Sequence, residues 1–113
     1  MKKILYIIIT FISISCNQKS DPELEWMKNG TLHKKTITDW KIASDENKLA
    51  TCADFMANLK KTDHQKYMSL KEMKYDAINL KTCIDEGTRN NNYADNMKIA
   101  EVAVLCYIFM KSE

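Results

Sequence analysis

The sequence predicts an all-α fold, a small antiparallel bundle of three main helices with a short leading helix. Three observations carry that prediction. Apolar residues from position 49 onward recur at spacings of three and four, the step that lines one face of a helix. Helix-starting signals precede those runs at Ser44 and Ser69, where a short hydroxyl can satisfy a free N–H of the first turn. No second alternating run competes for the one segment rich in strand formers, Val102 to Met110.

The leading helix is expected after Thr38, a candidate N-cap. Asp39 there favours the positive helix end, and Trp40 and Ala43, three apart, share an inward face. A second helix begins at Ser44, with Asp45 and Glu46 in its first turn and Leu49, Cys52, Ala53, Met56 and Leu59 along one side. Were the two one rod, the advance of about 100° per residue would put Trp40 on the polar side, so the chain should break near Ser44.

The third helix opens with a capping box, Ser69 with Glu72 three positions on. It continues through Leu70, Met73, Ala77, Leu80 and Ile84 in heptad-like steps and should stop at Gly87. Arg89 to Asn92 then form a polar turn. The fourth helix runs from about Asp95 to Met110, and its uncharged stretch Val102 to Met110 reads as the most buried element of the bundle. Val, Ile, Tyr and Phe also suit strands, but with no strand to pair with, helix prevails. Short loops make the helices antiparallel.

The first 30 residues have a different organisation. Lys2 and Lys3 form a positive start, Ile4 to Ile14 supply eleven mostly apolar residues, and Ser13, Ser15 and Cys16 close the run with small side chains, the layout of an export signal. A spanning helix needs roughly 20 apolar residues, so this segment reads as cleaved. Cys16, immediately after Ser-Ile-Ser, resembles the lipobox cysteine of bacterial lipoproteins, although Ser13 stands where that pattern usually has Leu. The resemblance implies a thiol carrying acyl chains such as palmitate, cleavage just before it, and a chain held on a membrane by lipid. The polar run Asn17 to Glu23 further resembles the short charged signals of lipoproteins sent to the outer membrane, on its periplasmic or surface face. The expected division is a signal over 1–15, a lipidated cysteine and polar tether over 16–30, and a helical domain over 31–113. Leu24, Trp26 and Met27 interrupt the tether and are placed to dock onto that domain.

Removing residues 1–15 from 113 leaves 98, enough for one domain. Loss of Lys2 and Lys3 leaves 15 basic residues against 15 acidic ones. A neutral domain whose only arginine is Arg89 gives no footprint for nucleic acid.

Candidate chemistry is sparse. With Cys16 lipidated, Cys52, Cys83 and Cys106 remain, outside any CxxC spacing. If the three main helices alternate up, down, up, a rise of about 1.5 Å per residue sets Cys52 and Cys106 within roughly 5 Å of the same height, with Cys83 further off level and at the edge of its apolar face, so a Cys52–Cys106 disulfide is the best pairing. The alternative is three small buried hydrophobes. His33 and His64, the only histidines, read as surface or loop residues without a partner at ligand spacing. Asp85 and Glu86 are adjacent, so they diverge on a helix and read as charge near its end. Asn90 to Asn92 lack the alternating acids that calcium needs. No metal, cofactor or catalytic residue is expected.

Asn47, Thr51, Asp54 and Asn58 fall on one side of the second helix and form a candidate partner-binding face of short polar side chains. Within the same region, Asp39, Trp40 and Ala43, then Lys48 to Thr51 and Ala53 to Phe55, make a pattern that resembles small uncharacterised bacterial helical proteins. It spans Thr31 to Phe55, and it implies that the first two helices form one unit, with Trp40 packed beneath the start of the second.

The functional expectation is a lipid-anchored envelope protein serving as a small helical protein-interaction module. An immunity-type protein that neutralises an incoming toxin is one form, by class analogy, and an envelope accessory is another. The alternative is a small-ligand or metal carrier using the bundle interior, with Cys52, Cys83, Cys106, His33 or His64 as contacts. An enzyme ranks behind both, because two unpartnered histidines offer few ways to assemble a nucleophile, a base and an oxyanion site.

Overall fold

A computed structural model describes residues 22–112. The expected signal and Cys16 lie outside the described residues. A 3-10 turn over Pro22–Met27 is followed by α1 (Ile37–Ile42), α2 (Asp45–Thr62), α3 (Leu70–Thr88), a second 3-10 turn over Asn92–Ala94, and α4 (Ile99–Ser112). Among the described residues there is no strand, only one isolated antiparallel bridge between Thr36 and Lys98. The helices pack as predicted: α2 against α3, α3 against α4 and α2 against α4.

Local chemistry explains the strongest boundaries. Ser44 Oγ accepts the Asn47 N–H at 3.2 Å and starts α2. Ser69 Oγ accepts the Glu72 N–H at 3.1 Å, while Glu72 Oε2 reaches back to the N–H of Met68 at 3.2 Å. The capping box therefore closes one residue earlier than its usual form.

Elsewhere tertiary contacts move the predicted ends. α1 starts at Ile37 rather than after Thr38, because the Ile37 N–H donates to the Met97 carbonyl at 2.9 Å and the Ile99 N–H to the Lys35 carbonyl at 3.0 Å. The same bridge delays α4 to Ile99 instead of Asp95, leaving residues 95–98 to join the two segments. Gly87 does not stop α3. It lies in the last turn with open space around it, and the exit is made by Arg89 in extended backbone and Asn90 at φ 57°.

The core joins Leu32, Ile37, Trp40, Cys52, Ala53, Met56, Met73, Ala77, Leu80, Ile84, Ile99, Ala103 and Cys106. Trp40 is fully buried, with its indole bonded to Asp85 of α3 and Lys48 of α2 over its ring. Trp26 and Met27 dock on this core, and their 3-10 turn rests against α2. The expectation that α4 is the most buried element does not hold. Ile99, Val102, Ala103, Cys106 and Tyr107 face inward, but Val104, Leu105, Ile108 and Phe109 face outward. A three-helix packing can cover only one side of its third helix, whatever the hydropathy of the other.

Two ends of the bundle follow from the ion pairs. Asp45 at the start of α2 meets Lys81 in the second half of α3, at 3.3 Å, so the starts of α2 and α4 and the end of α3 share one end, here called the Ile99 end. At the other, the Leu70 end, Asp63 just after α2 accepts from Tyr107 and Lys111 late in α4, each at 2.6 Å. The described chain comes in at the Leu70 end, where Glu23 and Trp26 border Leu70, Lys71 and Lys74. It leaves the turn toward Ser44, Glu46 and Asn47 at the Ile99 end.

Candidate interaction surfaces

The predicted partner face on α2 is a seam within the molecule. Residues 30–33 run along it and take up its polar groups. The Thr31 N–H donates to Asn47 Oδ1 at 2.9 Å, Asn47 Nδ2 donates to Thr31 Oγ1 at 2.8 Å, and the Leu32 N–H donates to Thr51 Oγ1 at 3.3 Å. His33 Nε2–H donates to Asp54 Oδ2 at 2.7 Å, and its ring meets Phe55 edge-on at 5.6 Å. Thr51 is fully buried, and of the four residues only Asn58 is exposed. Gly30 permits the approach, since a Cβ there would fall 2.7 Å from the Thr51 nitrogen. A polar stripe reads the same from sequence whether water or the chain's own backbone covers it, which is why periodicity could not tell the two apart.

The disulfide also differs from expectation. It joins Cys83 to Cys106, with Cα atoms 5.9 Å apart, and Cys52 is free and buried. Height along the bundle does not separate the pairings: Cys52 and Cys106 each lie seven residues past the start of their helices and Cys83 five before the end of α3, so at about 1.5 Å per residue all three fall within about 3 Å of one level, and it is toward α3 that α4 turns Cys106. Burial, with Asp85 adding to it, pushes the Cys52 thiol up to about 12, so it remains protonated and poorly suited as nucleophile or ligand. Of the cysteines and histidines weighed for a carrier, Cys83 and Cys106 are joined to each other as the disulfide and Cys52 lies free and buried. His64 is exposed beside Asp63 with φ 61°, and among the described residues no group of three or more His, Cys, Asp or Glu side chains could hold a metal ion.

Asp85 is the residue that sequence reasoning placed wrongly. Glu86 does act as end charge, 3.3 Å from Arg89. Asp85 instead accepts from Trp40 Nε1 at 2.8 Å and from Lys81 Nζ at 2.8 Å, with Lys48 Nζ 3.8 Å away and lying over the Trp40 ring. Burial pulls the Lys81 ammonium down, but Asp85 and Asp45 outweigh it and hold the group above its ordinary value. This is a latch between α1 and α3. Its only forecast in the sequence was an indole that needed an acceptor if buried.

Two tyrosines brace the Leu70 end. Tyr67 donates to Asp76 at 2.9 Å beneath Lys60, and Tyr107 donates to Asp63 beneath Lys111. Burial and the aspartate bond raise both phenols, Tyr107 to about 12, so both stay protonated as structural donors. Hydrogen bonds from Lys111 and Tyr107 hold the Asp63 carboxyl below its usual range.

Two groups of large apolar side chains remain outside these contacts. At the Ile99 end, Tyr93 is 98% exposed and Ile42 is 82% exposed. Both sit on braced backbone: Asn91 Oδ1 accepts the Tyr93 N–H at 3.1 Å, and Lys41, beside Ile42, pairs with Asp95 at 2.6 Å. Thr38 adds two bonds to the Asp95 carbonyl, one from its backbone N–H and one from Oγ1. Toward the Leu70 end, Phe109 of α4 is 69% exposed and Tyr75 of α3 is 67% exposed, on either side of one groove. No helix among the described residues is long and apolar enough to cross a membrane.

Comparison with known proteins returns no match to a family model, a curated protein or a solved structure.

Proposed function

We propose that the chain is a lipid-anchored protein of the bacterial envelope, held at the outer membrane by acyl chains on Cys16, whose helical domain works by binding another protein. The lipobox-like ending of residues 1–16 supports the anchor. The observation that carries the binding role is the exposure of Tyr93 and Ile42 on two segments that Lys41 ties together through Asp95 and the Asn91 carbonyl, here called the apex. A tyrosine that solvates almost its whole ring yet sits on a twice-braced turn loses little entropy on being covered, and such rigid aromatic groups dominate protein interfaces. The apex lies at the Ile99 end, opposite the end where the described chain comes in, so an anchor on Cys16 would leave it facing away from the membrane.

An immunity-type protein, meeting a toxin at this apex, is the specific form that fits a small anchored binder, by analogy of class. The test has two arms. Cys16→Ser should remove the acyl mass and release the chain from the membrane fraction. Tyr93→Ala in the lipidated chain should abolish capture of one specific protein after in-cell crosslinking, with a toxin-like identity pointing to immunity. Continued acylation in the Cys16→Ser chain would refute the anchor, and unchanged capture by the Tyr93→Ala chain would refute the apex.

A further inference from the structure

The outer face of α4 has a polarity that runs along the bundle. At about 100° per residue, Val104, Leu105, Ile108 and Phe109 fall within about 140° of one another, and all four are exposed. Glu101, on the same side, is the stripe's charged residue, and it lies at the Ile99 end. The apolar side chains follow toward the Leu70 end, where Phe109 faces Tyr75 across the groove between α3 and α4. The described chain comes in at that same end, with Glu23 and Trp26 against Leu70 and Lys71. From Pro22 back to Cys16 is six residue steps, which can span at most about 20 Å. A lipid on Cys16 therefore keeps the Leu70 end within about 20 Å of the bilayer.

We infer that the flank formed by Leu105, Ile108 and Phe109 of α4 with Tyr75 of α3 docks into the phospholipid surface that holds the anchor. The inference rests on the lipid-anchor reading above. A bilayer interface accepts an apolar helix face whose aromatic rings sit at headgroup level, and the anchor makes that contact intramolecular by holding the flank at high effective concentration beside the lipid. A second copy fits the patch less well. A stable dimer covers roughly 20 to 30 residues a side, whereas this flank offers a handful, three of them on under two turns of α4. Docking in this way would stand the bundle with the Tyr93 apex pointing outward.

The test uses the full lipidated chain in phosphatidylethanolamine–phosphatidylglycerol vesicles, with bimane attached after Phe109→Cys, Tyr75→Cys or Tyr93→Cys. These are exposed positions where a label leaves the core intact. Lipids carrying a shallow nitroxide should quench bimane at 109 and 75 about threefold or more over that at 93, as depth-dependent contact requires. Equal quenching at the three sites, with the protein still on the vesicles, would overturn the docked flank and leave the anchor standing. Loss of the protein from the vesicles would overturn both. Crosslinking of two copies through position 109, with no lipid quenching there, would assign the flank to a dimer instead and overturn the inference.

Discussion

The indole N–H of Trp40 donates to the Asp85 carboxylate across the gap between α1 and α3, at 2.8 Å. It links a six-residue helix, too short to persist alone, to a helix of 19 residues. The same carboxylate holds Lys81, with Lys48 close by. Removing it would leave the buried indole donor and Lys48 without their acceptor and Lys81 with Asp45 alone. Asp85→Ala is expected to cost about 2–3 kcal/mol, and Trp40→Phe, which leaves Asp85 with its lysines, about 1–2 kcal/mol. Urea unfolding followed by circular dichroism measures both, and an Asp85→Ala loss below that of Trp40→Phe would contradict the latch.

The Cys83–Cys106 disulfide joins residues 23 apart. By the loop-entropy relation its loss should cost about 3 kcal/mol, so Cys106→Ser should unfold at markedly lower urea. Cys52→Ala should cost about 1 kcal/mol through a small cavity. Peptide mapping without reduction should recover residues 83 and 106 in one linked species, and Cys52 should resist alkylation until the chain unfolds. A linked species containing Cys52 would contradict the assignment.

Gly30 lies where a methyl group would strike the backbone of Ala50 and Thr51 at 2.7–2.9 Å. Gly30→Ala should therefore push residues 30–33 off α2, at about 1–3 kcal/mol. Thr51→Val keeps the shape but removes the acceptor for the Leu32 N–H, at about 1–2 kcal/mol. Hydrogen exchange gives a direct reading. Both substitutions should speed exchange at Leu32 while leaving Leu80 and Ile84 protected.

Asp63 holds its carboxyl below the ordinary value of 3.8, first through the Lys111 hydrogen bond and then through Tyr107. A carboxyl depressed in the folded state contributes stability above its unfolded value, and that contribution is lost as pH falls through the folded value. Asp63→Asn should thus be less stable than the parent chain at neutral pH, and the two should converge below pH 3.8. Unfolding free energies across pH 2 to 7, roughly the span over which carboxylates govern stability, check this. A constant gap between the two curves would contradict it.

What could be read from the sequence was whatever local chemistry decides. Ser44 and Ser69 start helices through bonds to residues three positions away, and the apolar steps of α2 and α3 face the core as their spacing implies, except Leu70, which is exposed at the start of α3. The misplaced features depend on partners distant in sequence. The Thr36–Lys98 bridge shifted two helix starts, and the cysteine pairing was set by which neighbour α4 turns Cys106 toward, not by height along the bundle. Residues 30–33 covered the polar stripe of α2. The exposed side of α4 was hidden by its own hydropathy, since an apolar residue reads alike on either face of a helix.

The central claim is that the domain meets a protein partner through the Tyr93 apex. Photocrosslinking from single positions in the lipidated full chain, in living cells, tests it most directly, with a photoreactive residue at position 93, 42 or 58 in turn. The account predicts one discrete adduct of the same mass from positions 93 and 42, and none from 58 on the side of α2. An adduct from 58 alone, or none from 93, would contradict it.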